Sequence, residues 1–143
     1  MIDIAIMLAL QDSGIGEYGK TLFVNQSPIF GSGKVSDVEG FYVTSSAIGA
    51  TADTYQDQVT ITTRFKDSLS QSLMLAKLSE WVRNFGEEAC WLPLTPLFDD
   101  LEPLQVIGVP DRQAATTTAV DNEGKFVKQI TFTVNYKLPK NLQ

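Results

Sequence analysis

The chain has 143 residues, of which 43% are hydrophobic and 20% charged, and a net charge of −6. This is one domain of ordinary globular composition, long enough to bury a core, and too acidic to wrap phosphates by counterion release, so specific nucleic-acid binding is disfavoured. There is no histidine, which removes the commonest general base, the commonest metal ligand and every Ser-His or Cys-His pair, and the single cysteine, Cys90, excludes an intrachain disulfide.

The first ten residues, MIDIAIMLAL, have the apolar look of a signal segment. No Lys or Arg precedes them, Asp3 interrupts them and no small-residue cleavage site follows, so they are read as structure. No apolar run reaches the length of about 18 residues needed for a membrane span. Residues 2–13 predict a helix, with Ile2, Ile6, Leu10 and Ile4, Met7, Leu8 on its apolar stripe and Gly14 and Gly16 ending it. A strand over residues 2–7 is the alternative.

The next eight residues, Gly14 to Thr21, fit the phosphate-loop pattern G-x-x-x-x-G-K-S/T. That pattern cradles phosphates on backbone N–H groups, but it requires a buried strand before it and a helix beginning at its Gly-Lys-Thr. Here a predicted helix precedes it, and the strand-like Leu22-Phe23-Val24-Asn25 follows. The plainer reading is a glycine turn joining helix to strand; a nucleotide-binding loop is the sharper one. Residues 31–34, Gly-Ser-Gly-Lys, match less well, lacking the first glycine and the hydroxyl.

Residues 21–25 predict a first strand, ended by Pro28, and residues 28–40 a loop. Residues 41–46 predict a second strand, and residues 47–54 a connection to a third at residues 55–65. In the third, Val59, Ile61, Thr63 and Phe65 alternate with Thr60, Thr62 and Arg64. Asp67 and Ser68 are both N-cap types, and Gly86 stands where a C′ glycine ends a helix over residues 68–85. At about 100° per residue this helix has two apolar faces. Met74, Leu78, Trp81, Val82 and Phe85 form one; Leu69, Leu73 and Ala76 form the other, on nearly the opposite side. Either the N-terminal helix covers the second face or a neighbouring subunit does.

Residues 87–103 carry Pro93, Pro96 and Pro103 with Trp91, Leu92, Leu94, Leu97, Phe98 and Leu101, which need cover from the core or from a partner. Asp99, Asp100 and Glu102 lack the spacing and central glycine of a calcium loop and read as a solvated turn. Glu87 and Glu88 beside Cys90 would raise its thiol pKa, consistent with a small apolar residue near a helix end. Asp53, Asp57 and Asp67 show no acid/base spacing. The last third predicts a long hairpin. Residues 104–109 lead in, Pro110 interrupts, residues 113–120 go out, 121–124 turn and 126–137 return. The return strand would span about 40 Å, so part of the hairpin is expected to extend beyond the domain. Its uncharged segment ITFTVNY is expected to be central or covered.

The element order resembles the tail terminator, or minor capsid, proteins of long-tailed bacteriophages with non-contractile tails. The pieces that carry the resemblance are Asn25-Gln26-Ser27-Pro28 after the first strand, the strand–Arg64–Phe65–helix unit and the closing Phe132-Thr133-Val134-Asn135-Tyr136. The resemblance implies an α+β fold: a mixed, mostly antiparallel sheet flanked by two helices, completed by the long C-terminal β-hairpin. It implies a structural virion protein, not an enzyme, with no cofactor and no metal. Its copies would form a hexameric ring that caps the tail tube protein, ends its polymerisation and offers a surface to the head-tail connector protein. DNA would pass through the ring without specific binding, eased by the acidic balance. The place implied is the head-proximal end of the virion tail, reached from the host cytoplasm during assembly. A head completion or stopper protein is the alternative within the same class. The candidate interface residues are Arg64, Leu69, Leu73, Trp91, Phe98, Arg112 and Lys125. A buried Arg64 would need a carboxylate partner.

Overall fold

The computed structural model describes residues 1–24, 39–51, 53–87, 90–113, 119–120 and 124–142. The expectations for Asn25-Gln26-Ser27-Pro28, for the glycine run at residues 31–34, for Glu88 and for most of the hairpin turn lie outside them. The elements in order are helix α1 (Ile2–Asp12), strands β1 (Leu22–Val24), β2 (Gly40–Ala50) and β3 (Tyr55–Phe65), helix α2 (Ser68–Asn84), then β4 (Cys90–Leu92), β5 (Leu104–Arg112), β6 (Ala119–Val120) and β7 (Phe126–Lys137). A short 3-10 turn spans Lys140–Leu142.

The strands form one sheet in the order β1-β2-β3-β7-β5-β4, with β6 also paired to β7. Only β1–β2 is parallel; the other pairs are antiparallel. The fold is thus α+β with a mixed, mostly antiparallel sheet. The long β7 sits inside the sheet, between β3 and the β5 and β6 strands, so its apolar, uncharged run is paired along both sides. This removes the aggregation hazard of such a sequence.

Register sorts the two faces. Val43 lies opposite Ile61 and Ile61 opposite Ile130, while Val59 lies opposite Phe132. All are buried and face the helices. One step along, Thr44, Thr60 and Thr131 form a threonine row on the other face, where Thr60 Oγ1 and Thr131 Oγ1 are 3.3 Å apart. The period of two therefore separates an apolar core face from a hydroxyl-lined one.

Helix α1 touches β1 and β2 near one edge of the sheet and β4 at the other, so the sheet curls round it. This explains why α1 is buried on nearly every side, with Ile2, Ala5, Ile6, Met7, Leu8 and Leu10 all in the core, and not along a single stripe. The Ser13-Gly14-Ile15 end is a Schellman motif: Gly14 N donates to Gln11 O and Ile15 N to Leu10 O, each at 3.0 Å. Helix α2 lies along β3 and β7.

Two expectations need correction. Strand β2 runs to Ala50, because a bulge between Ala47 and Gly49 lets residues 47–50 continue the β3 ladder. Strand β5 runs through Pro110, because its register slips between Gly108 and Asp111 and no regular ladder position falls on the proline. The end of β2 is exposed from Ser46 to Ala50, and β7 is held within the sheet, while the outer part of the expected hairpin lies outside the described residues.

Candidate assembly surfaces

Helix α2 is fixed at both ends and on one side. At its start Asp67 Oδ1 accepts from Ser70 N at 2.8 Å and Asp67 Oδ2 from Ser70 Oγ at 2.9 Å. The backbone bond from Ser70, then its hydroxyl, hold the Asp67 carboxyl below its ordinary value. On the inner side Leu78, Val82 and Phe85 are buried. Phe85 meets Phe132 edge-on at 5.8 Å and stacks on Trp81 at 4.8 Å.

Gln71 is buried too, a polar residue that apolar patterning does not single out. Its amide, set with oxygen toward Lys128 N (3.1 Å) and Thr63 Oγ1 (2.7 Å) and nitrogen toward Phe126 O (3.3 Å), ties α2 to β3 and β7. At the far end Arg112 Nε donates to Val82 O at 3.0 Å and Nη1 to Val109 O at 3.3 Å, and Nη2 donates to Phe85 O. The guanidinium thus satisfies carbonyls that the helix leaves open.

The outward side of α2 is bare. Leu69 is 81% exposed and Leu73 56%. Helix α1 does not cover them: its packing is with β1, β2 and β4, and it approaches α2 where Trp81 Nε1 donates to Ser13 Oγ at 3.1 Å. Trp91 on β4 is 56% exposed, opposite Gln105 of β5. Leu97, beyond β4, is 41% exposed. Ile48 and Ile107 are exposed as well, and the reading of the sequence did not pick them out. Each falls at a bulge where the ladder skips it, and the bulges have no sequence marker beyond a nearby glycine.

Of the seven interface candidates, Leu69, Leu73 and Trp91 are therefore open to a partner. Phe98 is not, being partly buried against the core. Arg64 is buried in mid-sheet, opposite Gly40 on one side and Val127 on the other. Lys125 is buried just before β7. Arg112 has its fork committed to carbonyls of its own chain. Arg64 and Lys125 are thus interior, whereas Phe98 is half-buried and Arg112 is exposed with its fork already engaged.

The glycine loop has spent its amides on itself. Lys20, Thr21 and Leu22 N all donate to Glu17 O at 2.9–3.1 Å, Gly19 N donates to Leu22 O, Glu17 N to Thr21 Oγ1 and Tyr18 N to Gln11 Oε1. Lys20 Nζ is 3.4 Å from Glu17 Oε1. The chain then enters β1, not a helix, so the loop lacks the cradle geometry of a phosphate site.

The scattered carboxylates have local uses. Asp53 Oδ2 lies 3.6 Å from Lys137 Nζ, Asp67 caps α2, and Asp57 is near enough to Tyr136 to disfavour its ionisation. Burial, with the Asp57 charge adding to it, pushes the Tyr136 phenol well above its ordinary pKa. Burial also pushes the Cys90 thiol up. The direction agrees with the sequence reading, and desolvation is its leading cause.

Among the described residues no helix is long and apolar enough to cross a membrane. Comparison with models of protein families and with curated proteins returns no match.

Proposed function

We propose that the protein is a structural ring subunit of the tail terminator type, capping a phage tail tube and presenting a surface to the head connector. One observation carries this reading. Helix α2 buries Leu78, Val82 and Phe85 against the sheet and turns Leu69 and Leu73 to solvent. A surface helix of a self-contained monomer needs one apolar face, whereas a ring subunit needs its core face and a face for its neighbour. Exposed Trp91, away from α2 on the β4 edge, supports a second contact. Two unlike patches on one chain suit heterologous contacts, which close into rings when the rotation permits. The α+β order of elements agrees with the resemblance. The test is to add the purified chain to tail tube protein from the same genome as it polymerises and to measure tube lengths by electron microscopy. Shortened tubes with a ring at one end are expected; an unchanged length distribution overturns the reading.

A further inference from the structure

We propose that the outward row Leu69, Leu73, Lys77 of α2 seats the Leu97–Asp100 knob of a second copy of this chain. The inference deepens the ring reading and rests on it for the closure of the ring. Residues four apart share one side of a helix, so Lys77 extends the line of the two exposed leucines. The helix's own ion pair, Glu80 with Arg83 at 3.3 Å, does not involve Lys77. Among the described residues Lys77 has no ion pair.

The knob has the complementary order. Leu97 is exposed and is followed by exposed Asp99 and Asp100, neither with an ion pair among the described residues. It is also held in shape. Leu94 is buried beneath it, and Phe98 and Leu101 pack on the core. Phe98 N donates to Leu94 O at 2.8 Å, Asn141 Nδ2 donates to Asp100 O, and Asn141 Oδ1 accepts from Glu102 N. A knob already ordered loses little freedom on docking.

Apolar against apolar and cation against carboxylates thus match between two different surfaces of the same chain. With a net charge of −6, copies repel one another over most of their surface. Contact is favoured where Lys77, with Leu69 and Leu73 along its row and the neighbouring Glu80 already paired with Arg83, meets the acidic knob, which also sets the orientation. Each copy would use its helix row once and its knob once, giving a head-to-tail contact.

The experiment uses the full chain and two variants in sedimentation and light scattering up to about 1 mM, the weak limit of useful affinity. One variant is Leu73→Asp with Lys77→Glu; the other is Asp99→Lys with Asp100→Lys. The parent should associate with rising concentration, and each variant alone should stay monomeric with an unchanged unfolding transition. An equal mixture should associate again, because the knob of the first variant and the helix row of the second are both intact. A parent that stays monomeric throughout, a variant that still associates, or a mixture that stays monomeric overturns the contact. Should a variant fold poorly, Lys77→Glu alone should weaken association about tenfold, one charge contact's worth, and adding Asp99→Lys with Asp100→Lys to the same chain should restore it; absence of rescue overturns the proposal. Tube capping that persists without this contact removes the contact and leaves the terminator reading, while association without capping does the reverse.

Discussion

Arg112 Nε donates to the carbonyl oxygen of Val82 across 3.0 Å, joining strand β5 to the last turn of helix α2. The last carbonyls of a helix have no partner within it and carry its negative end, so a cation with a fork of donors is well suited there. Arg112→Ala is expected to cost about 1–2 kcal/mol, the range for hydrogen bonds to a charged group at a partly exposed site. Arg112→Lys should recover only part of it, because one ammonium does not reach several carbonyls as a fork does. Urea titration of both variants against the parent measures the difference.

Gly86 and Gly14 both have positive φ, +75° and +76°, and differ in their surroundings. A Cβ on Gly14 meets nothing within 4 Å, whereas on Gly86 it would lie 2.3 Å from Val109 Cγ2. Gly14→Ala should cost about 1 kcal/mol, the left-handed backbone penalty alone. Gly86→Ala should cost about 1–3 kcal/mol more, the usual range for overpacking. Similar losses in the two variants would refute the close approach of β5 to the end of α2.

Gln71→Leu keeps the bulk of the side chain and removes its amide. Lys128 N and Phe126 O would then lose a partner in a buried place. The expected loss is about 2–4 kcal/mol, that of leaving buried polar groups unsatisfied, despite the gain in hydrophobicity. Amide hydrogen exchange at Lys128 should speed up in the variant, which a general loosening confined to α2 would not produce.

Asp67 predicts an acid-side pH dependence. Its folded pKa lies below the ordinary 3.8 because Ser70 donates to the carboxylate. The stabilisation is therefore present above the unfolded value and lost as pH falls through the folded one. Asp67→Asn keeps a capping oxygen and removes the titration. The melting temperature of the parent should fall more steeply than that of the variant below pH 3.8, and parallel curves would refute the cap's role.

The two faces of α2 should separate cleanly in stability measurements. Leu69→Asp with Leu73→Asp should shift unfolding by no more than about 0.5 kcal/mol per site, as exposed substitutions do. The first lies in the opening turn, where a negative charge is favoured. Leu78→Ala, in the core, should cost about 2–5 kcal/mol. A large loss in the outward double variant would mean that those leucines support the fold itself.

The elements with a clear period were legible from residues alone. β3 and α2 announce themselves through alternation, an Asp cap and a closing glycine, and the structure keeps their bounds within a residue or two. The far half of β2 was not legible, because Ala47 to Ala50 have small or exposed side chains and the ladder with β3, a long-range fact, makes them a strand. Helix α1 was placed correctly, yet its burial on all sides depends on the curl of the sheet, which no local pattern encodes. Charge gave no sign that Lys125 is buried, because a cation counts as surface until its surroundings are known, and no local pattern marks the carbonyls on which the exposed Arg112 spends its fork. Leu69 and Leu73 were found by the angular count, and their exposure settles that α1 is not what covers them.

The strand order has a consequence for synthesis. β7 follows the other strands of this sheet in the chain and lies in the middle of it, pairing with β3 along the whole length of β3. Until it leaves the ribosome, β3 exposes one full edge and α2 lacks Phe132 and the backbone of β7 to rest on. The nascent chain from α1 through β5 is thus a half-sheet with an open seam, and sealing it requires contacts between residues far apart in sequence, which are slow to form. Translation speed and chaperone access while β7 is being made should therefore govern how much of the protein escapes aggregation, and this strand acts as the keystone of the sheet.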